Sequence, residues 1–540
     1  MPTILMDSHS ARSIRRLPHW RPAVIALIAL TAVTVDARPV SAQSSARLLA
    51  PLLYSVSMPA PESHYAEVEV AVPAGPGPSF EMMMPVWSPG YYRIEDYAAH
   101  VSDVRARTAD GRVLEVERSQ KNRWRIHGSG IVAVSYRVFC NQRSVTTNYV
   151  GADYAVLNGA PTFMTLVGPP GKRPHEVRLS LPAAWQAMSG LATPPGGRGD
   201  ALWADSYETL VDSPILAGPL HVGEFEVADR IHHVVAAGDM TGWDAAAASA
   251  DLKTFVEETY RFWGFLPFDK YVLLLAFRQG GGGLEHMNST LSTVSARMRE
   301  GGAQERGRWG SLGLLAHEYF HLFNAKRLRP VELGPFDFEK PPATGSLWIA
   351  EGLTSYYSGL LLTRAGLRTP DQHLASLSNL IAGLQNAPGR LLQSVEQSSL
   401  SVWENSNSGI NPTATTVSYY AKGNVLGLLL DARIRRITSG RRSLDDVMKL
   451  AYRRYAGARG YTADEFRGVA EEIAGVDLRG WFKSSVASAG ELDYSELLEW
   501  YGLRFTASEG RAGSWLIERR PDATTAQKRN LEAWLRSGRP

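Results

Sequence analysis

The chain has 540 residues, 44% of them hydrophobic, enough for two or three domains with sizeable cores. Lys and Arg total 57 and Asp and Glu 54; five of those arginines and two of those aspartates lie in the first 42 residues, so residues 43–540 balance at 52 against 52. That balance excludes an electrostatic nucleic-acid binder and a protein held by charge on an anionic membrane, and the single cysteine excludes an internal disulfide.

Arg12, Arg15, Arg16 and Arg21 precede the apolar run Ala23–Val35, and Val40-Ser-Ala42 offers a small-residue cleavage site. This layout predicts an export signal over 1–42, and hence a periplasmic or secreted protein without a stable membrane partner. The apolar run is too short for a comfortable membrane span, which makes an uncleaved anchor the lesser alternative.

Residues 43–235 read as strands punctuated by Pro and Gly. Val68, Val70 and Val72 alternate with other residues, as do Val132, Val134, Tyr136 and Val138. The expectation is an antiparallel, sandwich-like domain. Cys140 shares a face with Val134, Tyr136 and Val138 and reads as a buried hydrophobe. His232 and His233 fall in a strand-like run and read as structural.

From Asp239 the texture turns helical, with an Ala-rich stretch from Asp244 to Gly264. Tyr271–Phe277 is a continuous apolar strand running into Gly280-Gly-Gly-Gly-Leu-Glu285. The glycines predict a flexible loop that presents Glu285; no Gly-Lys-Ser/Thr follows, which argues against phosphate binding.

His317, Glu318 and His321 come next, in Leu315-Ala-His-Glu-Tyr-Phe-His-Leu322. On a helix, residues i and i+4 share a face, so both imidazoles can grip one zinc while Glu318 points at its bound water. Zinc lowers the pKa of that water, and the glutamate takes the proton as the water attacks a carbonyl. The pattern is short enough to arise on a solvated helix. Its flanks, however, are apolar, and nothing from Gly313 to Lys326 breaks a helix. A glutamate inside such a stretch is costly unless it works or is paired.

Two histidines leave a catalytic zinc one protein ligand short. Glu332, Asp337, Glu339 and Glu351 are the downstream candidates. Glu339 is followed by Lys340-Pro341, which reads as a loop. Glu351 lies in an apolar stretch, Leu347–Tyr357, long enough for a buried helix, where a carboxylate needs a cation. Farther on, Ser418–Asp431 reads as a helix with an apolar stripe, and Ser443–Asp446 and Thr462–Glu465 open two more helices as capping boxes. The Ser/Asn-rich stretch Ser406–Pro412 reads as a loop. There are no internal repeats.

His-Glu-x-x-His followed by Trp348-x-x-Glu351-Gly-x-Thr354 resembles the gluzincins, the thermolysin-like aminopeptidases. In the alanyl and leucyl aminopeptidases, eighteen residues separate the second histidine from the glutamate. Here 29 do, and Lys340 holds the eighteen-residue position. The longer spacing, with His317–His321 and Lys326-Arg-Leu-Arg-Pro330, looks like the glycyl aminopeptidase family, and the extra residues would form a loop over Pro330–Thr344. Pro85–Tyr92, Trp124 and Asn158-Gly159 resemble that family's N-terminal domain; as residues, their aromatics read as ordinary core with no chemistry of their own.

The resemblance implies a multidomain α+β fold. A β domain would span 43–235, a thermolysin-like catalytic domain 236–365, a helical bundle 366–501 and a short closing segment 502–540 without the PDZ domain many members carry. It implies one zinc per chain on His317, His321 and Glu351, with Glu318 as the base. Gly283-Leu-Glu285 matches the segment whose glutamate binds the substrate's free α-ammonium. Tyr420, or failing it Tyr419, matches the tyrosine that stabilises the oxyanion. The implied activity is removal of small N-terminal residues, Gly or Ala, from peptides. A thermolysin-like endopeptidase and a non-catalytic, zinc-stabilised binding protein are the alternatives; the latter has no need of Glu318 or Tyr420. Oligomeric state is not written in the sequence.

Overall fold

The structure is a computed structural model and describes residues 49–75, 77–168, 173–197, 201–278, 281–294, 304–405, 412–506 and 515–536. The export signal expected over 1–42 and residues 406–411 of the Ser/Asn-rich stretch lie outside these.

The valine alternation forms the centre of a ten-stranded sheet. Tyr65–Gly75 pairs antiparallel with Gly130–Phe139, setting Val68 opposite Tyr136 and Val70 opposite Val134. Their side chains are buried, as a period of two on a half-covered sheet requires. One neighbouring pair is parallel, Leu52–Ser57 against His175–Ser180. Cys140 is buried in this core, and burial pushes its thiol up to about 12, so it behaves as the expected hydrophobe.

A smaller sheet of four short strands joins the large sheet to the rest of the molecule. Along Ala155–Leu157 and Ile215–Gly218, Ala155, Leu157, Ile215 and Ala217 face the core of the ten-stranded sheet. The alternate residues Val156 and Leu216 face Val235, Val272, Leu274 and Leu291 of a third sheet.

That third sheet has five strands in the order His221–Val227, Arg230–Gly238, Lys270–Phe277, Ser289–Val294, Gly282–Glu285. Its three inner strands are parallel and covered on both faces, which is why Tyr271–Phe277 is apolar throughout. Two details depart from the sequence reading. The domain break expected at 235 falls inside the strand Arg230–Gly238, which pairs with Lys270–Phe277. Glu285 ends an edge strand laddered antiparallel to Ser289–Val294, and does not sit in the flexible loop that the glycines suggested.

The face of this sheet opposite the four-stranded layer packs on the helix Ala245–Trp263 and on the helices that carry the motif, Glu351 and the paired tyrosines. The capping boxes at Ser443 and Thr462 are both formed. The closing segment makes a two-stranded hairpin and a helix, Thr525–Leu535, whose Trp534 donates from Nε1 to the Tyr356 hydroxyl at 2.9 Å. Residues 48–540 form one compact unit. Among the described residues, no helix is long and apolar enough to cross a membrane.

Candidate metal and peptide site

The helix Gln304–His321 carries the motif. Leu315, Ala316, Tyr319 and Phe320 bury one face of it, and His317, Glu318 and His321 look into a cleft. Glu351 lies on a π-helical turn, Trp348–Leu353, that leads into the helix Thr354–Arg364. Single π turns recur at functional sites because they re-aim side chains. The helix Tyr419–Ile437 meets this turn backbone to backbone: a Cβ on Gly352 would stand 2.5 Å from the Gly423 Cα.

The potential ligand atoms of His317, His321 and Glu351 all lie within 4.8 Å of one another. Glu351 Oε2 stands 3.0 Å from His321 Nε2 and 3.5 Å from His317 Nε2, and the two Nε2 atoms are 2.9 Å apart. His321 Nδ1 faces the Asn324 carbonyl at 3.0 Å. A carbonyl only accepts, so Nδ1 carries the hydrogen and Nε2 turns a lone pair into the cleft. Lone pairs thus converge with a carboxylate, and only a cation or a proton can sit among them. Burial alone would strip His321 of its proton, yet the charges of Glu351, Glu285 and Glu318 hold its pKa up to about 10. Burial raises Glu351, but His321 and His317 overcome it and hold the carboxyl well below the usual range. The donor set fits a divalent cation.

Asn324 locks this geometry. Its Nδ2 donates to the carbonyls of Ile349 at 2.8 Å and Ala350 at 3.1 Å, tying the end of the motif helix to the turn bearing Glu351. Ser355, one turn past Glu351, places Oγ 3.3 Å from His317 Nδ1. Such partners fix the orientation of ligand rings.

Glu318 and Glu285 form a second cluster with His321, again with atoms within 4.8 Å. Burial pushes both carboxyls up; His321 opposes this in each, Glu351's negative charge adds to it in each, and Glu285 adds further to Glu318. Gly283 admits the Glu318 side chain, because a Cβ there would overlap its carboxylate. Behind Glu285, Asp212 accepts from Lys326 Nζ at 2.6 Å and from the Met287 amide at 2.7 Å, and stands 3.3 Å from His286 Nδ1.

The large sheet's own loop completes the site, which the sequence reading missed. Tyr92, buried, donates its hydroxyl to Glu351 Oε1 at 3.1 Å. Gly90, at φ +90°, backs Glu285 so closely that a Cβ would stand 2.5 Å from Oε1. The loop is held by Trp87, whose Nε1 donates to the Asp337 carbonyl at 2.9 Å and whose ring packs on Phe336, Phe338 and Trp403. The Pro330–Thr344 insertion therefore clamps it. The local signal was present in Gly90, Tyr91 and Tyr92 after Pro89; its target was not.

Tyr420 lies over the His317 ring, with centroids 6.0 Å apart, and is 38% exposed to the cleft. Tyr419 packs edge-on against Tyr92 and beside Tyr420. Desolvation and the nearby carboxylates raise Tyr420 well above its ordinary value, so its hydroxyl is a neutral donor.

A sheet-and-helix core carrying His-Glu-x-x-His with a distant glutamate beside it defines a metallopeptidase of the gluzincin class. Residues 53–219 match the Peptidase M61 N-terminal domain and residues 310–426 the M61 glycyl aminopeptidase domain, together just over half of the chain. The chain belongs to that family and is a peptidase. Among solved structures it is similar to an aminopeptidase N family protein of Idiomarina loihiensis, with a TM-score of 0.79 and 28% identity over 84% of this chain and 79% of that one. It shares the fold of an M1 zinc metallopeptidase of Deinococcus radiodurans, solved with a Tyr-Ser-Ala substrate, at a TM-score of 0.50 and 14% identity over 83% and 95% of the two chains. No curated protein matches.

Proposed function

We propose that the protein is a zinc-dependent aminopeptidase that removes small residues, Gly or Ala, from peptides with a free amino terminus. The observation that carries this reading is the convergence of His317, His321, Glu351, Glu318 and Glu285 in one buried cleft. His317, His321 and Glu351 would hold the cation. Zinc suits two imidazoles and a carboxylate, and when bound it supplies Lewis-acid polarisation of a carbonyl and of water.

Glu318 takes a proton from the attacking water and passes it to the leaving amine; desolvation and the charges of Glu285 and Glu351 shift it in the direction a base at neutral pH needs. Glu285 accepts charge-assisted hydrogen bonds from the terminal ammonium, a group that internal peptide bonds lack. Tyr420 donates to the developing oxyanion. The small-residue preference rests on the family, and action outside the cytoplasm rests on the export signal read over 1–42.

The test is a metal-replete assay on glycyl and alanyl amides, free and N-acetylated, with a chelator control. Free amines are cleaved and blocked ones are not, and Glu318→Gln keeps its metal while losing about 10²–10⁴-fold in turnover. Equal cleavage of blocked peptides would instead favour the endopeptidase.

A further inference from the structure

A cavity of about 240 Å³ lies one helical turn beyond the metal cluster, on its His317 side. Gly313, four residues before His317, Ser355, four after Glu351, and Asn424, four after Tyr420, all line it. Ser355 Oγ faces His317 on one side and the cavity on the other. Glu285 sits away from this side, clustered with His321 and Glu318. A substrate whose amine rests on Glu285 therefore sends its leaving fragment toward the cavity.

The walls suit an anion. Arg368 lines the cavity, its Nη1 3.3 Å from where a Cβ on Gly359 would stand, and among the described residues no carboxylate pairs with it. His373 is buried to 2% exposure, yet neither ring nitrogen has a hydrogen-bond partner. Asn424 Oδ1 is likewise buried and unpartnered. Burial, with Arg368 and Arg364 nearby, drives His373 down to about 3, so the ring is neutral and Arg368 sets the sign of the cavity. A half-buried cation beside orphaned polar atoms costs stability unless a ligand answers it.

We propose that this cavity is a carboxylate site for the residue that follows the scissile bond, with Arg368 as its anchor and His373 and Asn424 as the polar floor. The proposal rests on the aminopeptidase reading, which supplies the direction of the chain. The carboxylate has two sources: the free C-terminus of a dipeptide, or an Asp or Glu side chain in a longer peptide. One helical turn, about 5.4 Å, is within reach of either, since consecutive Cα atoms are 3.8 Å apart.

The experiment compares kcat/KM for Ala-Ala, Ala-Ala-NH2, Ala-Asp-NH2 and Ala-Glu-NH2 in the full-length metal-replete protein and in Arg368→Gln and Arg368→Lys. The expected result is at least a tenfold preference for one carboxylate-bearing substrate over Ala-Ala-NH2, expressed mainly in KM. Arg368→Gln abolishes the preference and Arg368→Lys restores part of it. Preference for Ala-Ala alone identifies the C-terminus, and preference for the acidic amides identifies the side chain. Equal rates on all four, or a preference that survives Arg368→Gln, overturns the proposal. A protein that cleaves none of them refutes the small-residue aminopeptidase reading instead. Calorimetric binding of Ala-Ala and Ala-Ala-NH2 to the Glu318→Gln protein then decides the cavity, and equal affinities overturn it.

Discussion

Replacing Tyr92 by Phe removes one hydroxyl and little volume, and it isolates what the large sheet contributes to the proposed metal site. The hydroxyl donates to Glu351 Oε1 at 3.1 Å, and both side chains are buried, so water cannot replace the bond. A hydrogen bond to a charged group contributes about 1.5–3 kcal/mol. At about 1.4 kcal/mol per factor of ten, zinc affinity should fall roughly 10- to 150-fold. Burial, with Glu351 and Glu285 nearby, holds the Tyr92 hydroxyl far above its ordinary pKa, so the loss should be the same from pH 6 to 9. Competition against a fluorescent zinc chelator measures it, with a thermal melt of the metal-free protein to show that the fold is intact. An affinity within twofold of wild type would refute the claim that Tyr92 orients a metal ligand.

Gly283→Ala sets a methyl on the Glu318 carboxylate; kcat should drop about 100-fold while zinc stoichiometry stays near one, and a kcat within threefold would contradict the crowding. Glu285→Gln should erase most of the discrimination between free and N-acetylated substrates in paired assays, with the loss confined to the free amines. Lys326→Met strands the buried Asp212 and should cost about 3–5 kcal/mol in denaturant unfolding; a loss below 1 would show that the pair is not needed. His175 and His373 are held down to about 3 and His232 to about 4, each chiefly by burial. The unfolded chain binds protons that the native rings refuse. The contribution of these three rings is therefore whole above pH 6.5 and declines with acid, by up to about 1.4 kcal/mol per pH unit for each ring. A melting temperature that does not move between pH 7 and 5 would contradict this.

What could be read in the sequence was local. The His317–His321 pair obeys helical spacing, and Glu351 betrays itself as an acid in an apolar run. The valine alternation of Tyr65–Gly75 and Gly130–Phe139 names its own pairing faces. Tyr92 stayed hidden because its partner is 259 residues away and the contact exists only once the large sheet has docked. Gly282–Glu285 read as a loop because glycine carries no strand propensity; the ladder with Ser289–Val294 supplies the order instead. Strands of two to four residues, such as Tyr149–Val150 and Ala155–Leu157, are too short to show a period, so the small joining sheet left no trace. Asn324 was in plain view beside the motif, but its three-way bonding depends on where the Glu351 turn arrives.

The reach of Gly90 and Tyr92 into the cleft makes hydrolytic competence a property of the assembled chain. A clipped form that begins after the large sheet, or a newly made chain caught before docking, would still display the two imidazoles and the acid at 351. It would lack the wall behind Glu285 and the hydroxyl that steadies the ligand. Such a species should cleave poorly until both halves have found each other.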